Sequence, residues 1–156
     1  MTHSRRATAV AWCAVALVAL AGAVLTVLAS DPLVTTISNL ATAPAAILYA
    51  TLGALVVRRA SNVIGWFVLG VGAGMAVMGS ASAYAVLGIA HPGTLPAPEL
   101  MAVLAEWSFV PVFTAIIFML LLFPSGTLPS PRWRPFAALT VLATALASSG
   151  SWCIRG

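Results

Sequence analysis

Long apolar stretches, separated by short segments rich in proline and charged residues, define the pattern of this chain. The stretches predict five helices, over residues 7–29, 32–57, 63–89, 99–123 and 136–154. Each is close to or above the ~20 apolar residues that an α-helix needs to cross the hydrocarbon core of a bilayer. The pattern therefore predicts an all-α, polytopic transmembrane bundle of about five spans, forming a single membrane domain over residues 1–156.

The second and third predicted helices have features of their own. Asp31 and Pro32 predict the start of the second helix, with Asp31 as the cap and Pro32 at the first helical position. The segment from Pro44 to residue 57 is too short to span alone, so this helix must begin earlier and bend at Pro44. The third helix is rich in glycine, which allows neighbouring helices to approach closely in a bilayer.

Composition excludes a water-soluble domain. Hydrophobic residues make up 62% of the chain and charged residues 6%, against about 25% charged residues in a soluble domain. The formal net charge of +4 does not indicate a nucleic-acid binder, because such a protein clusters its basic residues on one polar face. Here the arginines are spread singly or in pairs between apolar stretches, so the predicted partner is the lipid bilayer and not nucleic acid.

The arginines also predict the orientation, because short cytoplasmic loops are enriched in basic residues. With the N-terminus in the cytoplasm, every arginine except Arg155 falls on the inner side. Arg132 and Arg134 are then expected to contact anionic headgroups, with a binding free energy of about 1 kcal/mol per residue.

The same topology places Cys13 and Cys153 at opposite membrane faces. We therefore predict that the two cysteines are unpaired and act as apolar packing residues.

Two motifs resemble those of a known family. Residues 54–66 read ALVVRRASNVIGW, and residues 121–135 read LLFPSGTLPSPRWRP. Both resemble motifs in the N-terminal membrane region of a class of bacterial sensor histidine kinases. Between them, SAYAVLGIAHPGTLPAPELMAVLAEW at 82–107 also fits, with its outer loop and its Glu-Trp pair. The resemblance covers more than half of the chain.

The resemblance implies a multi-pass protein of the bacterial plasma membrane that takes part in two-component signal transduction. It implies no enzyme activity for this chain, since no segment resembles the phosphorylated-histidine dimerisation region or the ATP-binding domain of such kinases. The expectation is an input region without its output, either a truncated gene product or a stand-alone relative. Its partner would be a kinase chain, or a second copy of itself, bound through transmembrane helices.

Glu106 is the one acidic residue well inside a predicted span. A carboxylate within a membrane is a functional candidate by default. One hypothesis has Glu106 facing the interior of the bundle, where it takes part in sensing or in a polar contact. The alternative is a carboxylate at the outer rim that reaches water beside Trp107.

No other residue predicts a site of chemistry. The glycines of 70–74 have a spacing that suits either a partner helix or packing within the chain, and they lack the strand and lysine of a phosphate-binding loop. His3 and His91 have no further ligand at metal-binding spacing. Ser125 and Ser130 have no histidine partner to activate them. We therefore predict no catalytic, cofactor-binding or metal-binding residue, and no cofactor.

Two functions of other classes stay open beside the sensor or input region. One is a small membrane subunit of a transporter or export complex, which would need polar groups along a path through the bilayer. Glu106, Asn39 and Tyr49 are the main polar residues available for it. The other is a truncated, non-functional remnant.

Overall fold

The structure, a computed structural model, describes four helices and part of a fifth helical segment. The described residues are 2–29, 33–60, 63–122, 135, 136, 138–142 and 144. The helices are α1 (Thr2–Leu28), α2 (Leu33–Ala60), α3 (Val63–Ala90) and α4 (Pro98–Leu122). Within this part of the chain, only residue 29 and the loop 91–97 are not helical, and no strand occurs. The predicted all-α fold is confirmed.

Each of the four helices contains a stretch long and apolar enough to cross a membrane. These stretches are Arg6–Leu28, Leu40–Arg59, Val63–Ala90 and Pro98–Leu122. At about 1.5 Å per residue, roughly 20 helical residues cover the ~30 Å of a hydrocarbon core. By length and composition, these are the helices of a polytopic membrane protein.

The predicted fifth helix, 136–154, falls only partly on the described residues. Residues 135, 136, 138–142 and 144 are helical. The remainder of that helix lies outside the part of the chain that the structure describes, so the fifth span stays a prediction.

Helix ends differ most from the sequence predictions where arginines occur. Helix α1 begins at Thr2 and not at residue 7, so the basic start of the chain belongs to the helix. Helix α2 runs to Ala60 and not to residue 57, with Arg58 and Arg59 in its last turn. Positive charge is favourable there because it lies beside the partial negative charge of the helix C-terminus. The bounds of α3 and α4 are within one residue of those predicted.

Proline does not end either helix in which it occurs. Helix α2 begins at Leu33 and continues through Pro44, as predicted, and α4 continues through Pro111. Proline removes one backbone hydrogen bond, and packed neighbouring helices make this tolerable in a membrane. The bend predicted at Pro44 stays a prediction, and the Asp31-Pro32 cap lies outside the described residues.

Helix α3 is the centre of the four-helix unit. Helices α1, α2 and α3 all pack against one another, whereas α4 packs against α3 alone among these helices. Helix α4 accordingly buries the smallest share of its spanning stretch, 11% against 22%, 28% and 33% for α1, α2 and α3.

Small side chains are the most frequent in the interior of the packing. Its core cluster consists of Val15, Ala19, Ala46, Ala50 and Ala76. Ala46 and Ala50 are 0% exposed, while Val10 and Leu17 on α1 are each 69% exposed. Large apolar side chains outside and small ones inside are the arrangement expected when the surroundings are lipid and close backbone packing drives helix association.

Glycine brings the backbones of α2 and α3 together. A Cβ atom added to Gly72 would lie 2.7 Å from the carbonyl oxygen of Ala46 and 2.7 Å from the backbone nitrogen of Ala50. A Cβ atom on Gly53 would collide with the backbone of Leu69, and it would lie 2.7 Å from the carbonyl oxygen of Gly65. Any larger residue at these positions would separate the two helices.

The contact between α3 and α4 is made by side chains. Gly74 lies opposite the side chain of Val112. The rings of Phe67 and Phe118 stack with centroids 5.9 Å apart and an interplanar angle of 9°. Gly70, one turn before Gly74, has no atom within 4 Å of the position a Cβ would take. The 70–74 segment therefore packs within the chain at Gly72 and Gly74 and is open at Gly70.

Candidate functional site

The acidic residues of α4 lie on its surface. Glu99 is exposed in the first turn, and Glu106 is exposed about two turns further on. The neighbouring Trp107 is half-buried and Ser108 is buried. Exposure of Glu106 does not favour the hypothesis of a carboxylate facing the interior of the helix packing, and its position relative to the membrane rim stays a prediction.

The polar residues that a transport path would use do not converge. Tyr49 is 40% exposed on α2, and Glu106 is exposed on α4, which packs on α3 and not on α2. The side chain of Asn39 is outside the described part of the structure. The described helices therefore place Tyr49 and Glu106 on separate outer surfaces.

The loop 91–97 is fixed to the end of α3. The backbone N–H of Thr94 donates to the carbonyl of His91 at 3.2 Å, and the Thr94 hydroxyl donates to the same carbonyl at 2.6 Å. The Tyr84 hydroxyl donates to the carbonyl of Pro96 at 3.1 Å. Gly93 takes the left-handed conformation, with φ of 86°, which costs glycine little. The connection between α3 and α4 is thus tied back to α3, with the His91 side chain exposed.

A groove opens between α1 and α2, which we call the α1–α2 groove. It has a volume of about 390 Å³ and is lined by Ala9, Trp12, Cys13, Thr51, Ala54, Leu55 and Arg58. The indole N–H of Trp12 donates to the Thr51 hydroxyl at 2.9 Å, and that hydroxyl donates to the carbonyl of Ile47 at 2.7 Å. These two hydrogen bonds use the indole N–H and the hydroxyl hydrogen, so the groove wall is apolar up to Arg58.

Sequence reasoning did not find the α1–α2 groove. Its only signals were a threonine inside an apolar span and a tryptophan near the basic start of the chain. Threonine in a span often hydrogen-bonds to the carbonyl four residues earlier, as Thr51 does. Nothing in the sequence sets which residue of α1 lies beside Thr51, because that depends on how two separate helices are aligned.

A second groove lies between α4 and the helical residues after 134, and we call it the α4 groove. It has a volume of about 490 Å³ and is lined by Phe109, Val110, Phe113, Thr114, Ile117, Phe136, Leu139, Thr140 and Thr144. The hydroxyl oxygens of Thr114 and Thr144 are 2.7 Å apart and share a hydrogen bond. The α4 groove is otherwise lined mainly by aromatic and aliphatic side chains.

The other residues singled out in the sequence do not form a site among the described residues. Within the described residues, no group of three or more His, Cys, Asp or Glu side chains is placed to hold a metal ion. Cys13 is a free, exposed thiol. The side chain of His3 and the whole of Cys153 are outside the described part of the structure, as are four loop residues, Ser125, Ser130, Arg132 and Arg134.

Comparisons of the chain with models of known protein families, with curated proteins and with solved structures find no match. The resemblance to kinase input regions therefore rests on the two quoted motifs and the segment between them. What the fold and its surface define is the class of protein: an all-α integral membrane protein with at least four helices able to span the bilayer.

Proposed function

We propose that this chain is the signal-input region of a histidine-kinase type sensor, in which α4 moves relative to α3 and passes the signal to a partner. One observation carries this proposal beyond the sequence motifs. Helix α4 packs on α3 alone among the four helices, while α1, α2 and α3 hold one another. A shift of α4 along α3 would therefore leave the contacts among α1, α2 and α3 in place.

The outer end of α4 is where a stimulus would act. Loop 91–97 joins α3 to α4 directly, and the hydrogen bond from Tyr84 to Pro96 holds it on α3. The first residue of α4, Pro98, lies against Gly88 of α3. A ligand or a change in the membrane that alters this loop displaces the start of α4 against a fixed α3.

The inner end of α4 is where the signal would leave. Phe67 of α3 stacks on Phe118, about one turn before α4 ends at Leu122. The motif LLFPSGTLPSPRWRP, residues 121–135, begins with the last two residues of α4. Movement of α4 is therefore passed to this motif and to the helical residues that pack along the α4 groove.

The role requires no catalysis by this chain, because the signal is a change in helix contacts. The partner is a kinase chain, or a second copy of this chain, that binds through its own transmembrane helices. The exposed aliphatic side chains of α4 outside the α4 groove, including Leu100, Leu104 and Leu120, offer the surface for this contact.

Co-purification tests the proposal. The full chain is co-expressed with a full-length sensor kinase that carries the same two motifs, and autophosphorylation of the kinase is measured in membranes. We expect the two proteins to co-purify and the rate of autophosphorylation to change. Absence of both effects would refute the proposal.

A matched pair of variants tests the role of α4. Gly74→Leu forces α4 away from α3, because Gly74 lies against Val112, whereas Gly70→Leu adds the same side chain where no atom is near. We expect Gly74→Leu to change the effect on autophosphorylation and Gly70→Leu to leave it as in the parent. If Gly70→Leu alone abolishes the effect, the partner binds the open face of α3, and α4 is not the transmitting helix.

A further inference from the structure

One arginine, Arg58, lines the α1–α2 groove, and a second, Arg6, lies about one helical turn before Ala9, which also lines it. Arg6, Ala9 and Cys13 have the spacing i, i+3 and i+7, which places them on one face of α1. Thr51, Leu55 and Arg58 have the spacing i, i+4 and i+7 on α2. Because Ala9 at the start of α1 and Arg58 at the end of α2 line the same groove, the two helices are antiparallel there and Arg6 comes to the same end as Arg58.

These arginines have no carboxylate near them among the described residues. The two acidic residues that the structure describes, Glu99 and Glu106, are both on α4. Helix α4 packs on neither α1 nor α2. Both guanidinium groups are exposed at the end of a spanning stretch, where the phosphate of a lipid headgroup lies and where arginine binds phosphate through two parallel hydrogen bonds.

The interior of the groove suits an acyl chain better than a polar ligand. Its walls are Ala9, Cys13, Ala54 and Leu55 with the ring of Trp12. The Trp12 indole N–H and the Thr51 hydroxyl hydrogen are already donated within the protein. The volume of about 390 Å³ is within the roughly 300–1,000 Å³ typical of ligand sites.

We propose that the α1–α2 groove is a binding site for an anionic phospholipid, with one acyl chain against Trp12 and the phosphate held by Arg6 and Arg58. Basic sites between transmembrane helices at the cytoplasmic face are a known mode of recognising anionic lipids. This site is independent of the proposed signalling role, because it involves neither α3 nor α4.

Quenching of Trp12 fluorescence by brominated lipid provides the test. The full chain keeps Trp12, and its four other tryptophans are replaced by phenylalanine. It is reconstituted in vesicles of phosphatidylcholine with one fifth phosphatidylglycerol, in which only one of the two lipids is brominated on its acyl chain. Per mole of brominated lipid, we expect phosphatidylglycerol to quench Trp12 several-fold more than phosphatidylcholine.

Arg58→Gln and Arg59→Gln form the matched pair of variants. Both remove one charge from the last turn of α2, but only Arg58 lines the groove. We expect Arg58→Gln to lower the preference about fivefold, the loss corresponding to one basic contact, and Arg59→Gln to leave it within twofold. Equal quenching by the two brominated lipids in the parent would overturn the proposal, as would equal effects of the two variants.

Two further measurements address occupation of the groove by a second copy of the chain and failure of the single-tryptophan protein to fold. If quenching falls as the ratio of protein to lipid rises, a second copy of the chain occupies the groove and the lipid proposal is wrong.

Should the single-tryptophan protein fail to fold, the parent and the two arginine variants are examined by native mass spectrometry in detergent. Retention of phosphatidylglycerol over phosphatidylcholine by the parent and by Arg59→Gln, but not by Arg58→Gln, supports the site, and equal retention in all three refutes it.

Discussion

Replacing Gly72 by alanine tests the close approach of α2 and α3 with a single methyl group. The added Cβ would lie 2.7 Å from both the carbonyl oxygen of Ala46 and the backbone nitrogen of Ala50. Ordinary van der Waals contact needs about 3.5–4.0 Å between heavy atoms. Since both obstacles are backbone atoms, no side-chain rotation can relieve the collision, and the helices must move apart.

The expected magnitude follows from two opposing effects. Overpacking by extra carbon atoms costs typically about 1–3 kcal/mol. Alanine is a better helix former than glycine by about 1 kcal/mol in water, which offsets part of that cost. Gly70→Ala gains the same helix preference with no collision, because no atom lies within 4 Å of its Cβ position. The difference between the two variants therefore isolates the packing cost, which we expect to be about 1–3 kcal/mol.

Reversible unfolding in mixed micelles is a suitable assay. The parent and both variants are titrated with sodium dodecyl sulfate and followed by circular dichroism, and the free energies of unfolding are compared at one detergent fraction. We expect Gly72→Ala to unfold at a lower fraction than Gly70→Ala. If the two variants agree within about 0.5 kcal/mol, the scatter expected between independent sites, the two backbones are not as close as described.

Three further predictions concern the Trp12–Thr51 hydrogen bond, the loop 91–97 and the orientation of the chain in the membrane. Trp12→Phe removes the hydrogen bond to Thr51, and we expect a loss of about 0.6 kcal/mol in the same unfolding assay; a gain in stability would contradict the bond. Gly93→Ala places a Cβ in the left-handed conformation and should cost about 1–2 kcal/mol, which an unchanged unfolding midpoint would refute. In a cysteine-free background, Thr94→Cys should react in intact cells with a membrane-impermeant maleimide and Arg59→Cys should not; the reverse pattern would invert the predicted orientation.

The positions of the four described helices could be predicted from the apolar stretches of the sequence. Backbone groups in hydrocarbon must be hydrogen-bonded within the chain, so an apolar stretch of sufficient length is a helix. This is why Val63–Ala90 and Pro98–Leu122 were predicted to within one residue at each end. The predictions made the helices too short at the ends where arginines occur, because they assumed that a charged residue ends a helix. At the C-terminal turn of α2, the arginines instead stabilise the helix.

The arrangement of the helices could not be predicted in the same way. Glycine in the third helix indicated close packing, but the sequence did not say that Gly72 meets α2 and Gly74 meets α4. With large apolar residues all around each helix, no polar face marks the side that points outward. Which face packs is decided by small residues on two helices together, and this information is not local to either one.

The α1–α2 groove shows the same limit. The predicted end of the second helix, at residue 57, lies within three residues of the observed end at Ala60, next to Arg58. The sequence did not show that Arg58 and Trp12 line one groove, because they are far apart in the chain and lie on different helices.

The alanine and glycine interior also decides how this protein should be probed by mutagenesis. Ala46, Ala50 and Ala76 are already the residue that a conventional alanine scan introduces, so such a scan would give no signal at these core positions. Truncating exposed large residues such as Val10 and Leu17 would change only the surface that lipid solvates. A scan that replaces each small residue by leucine would instead identify the helix contacts, because the positions at which leucine destabilises the protein are those where two helices touch.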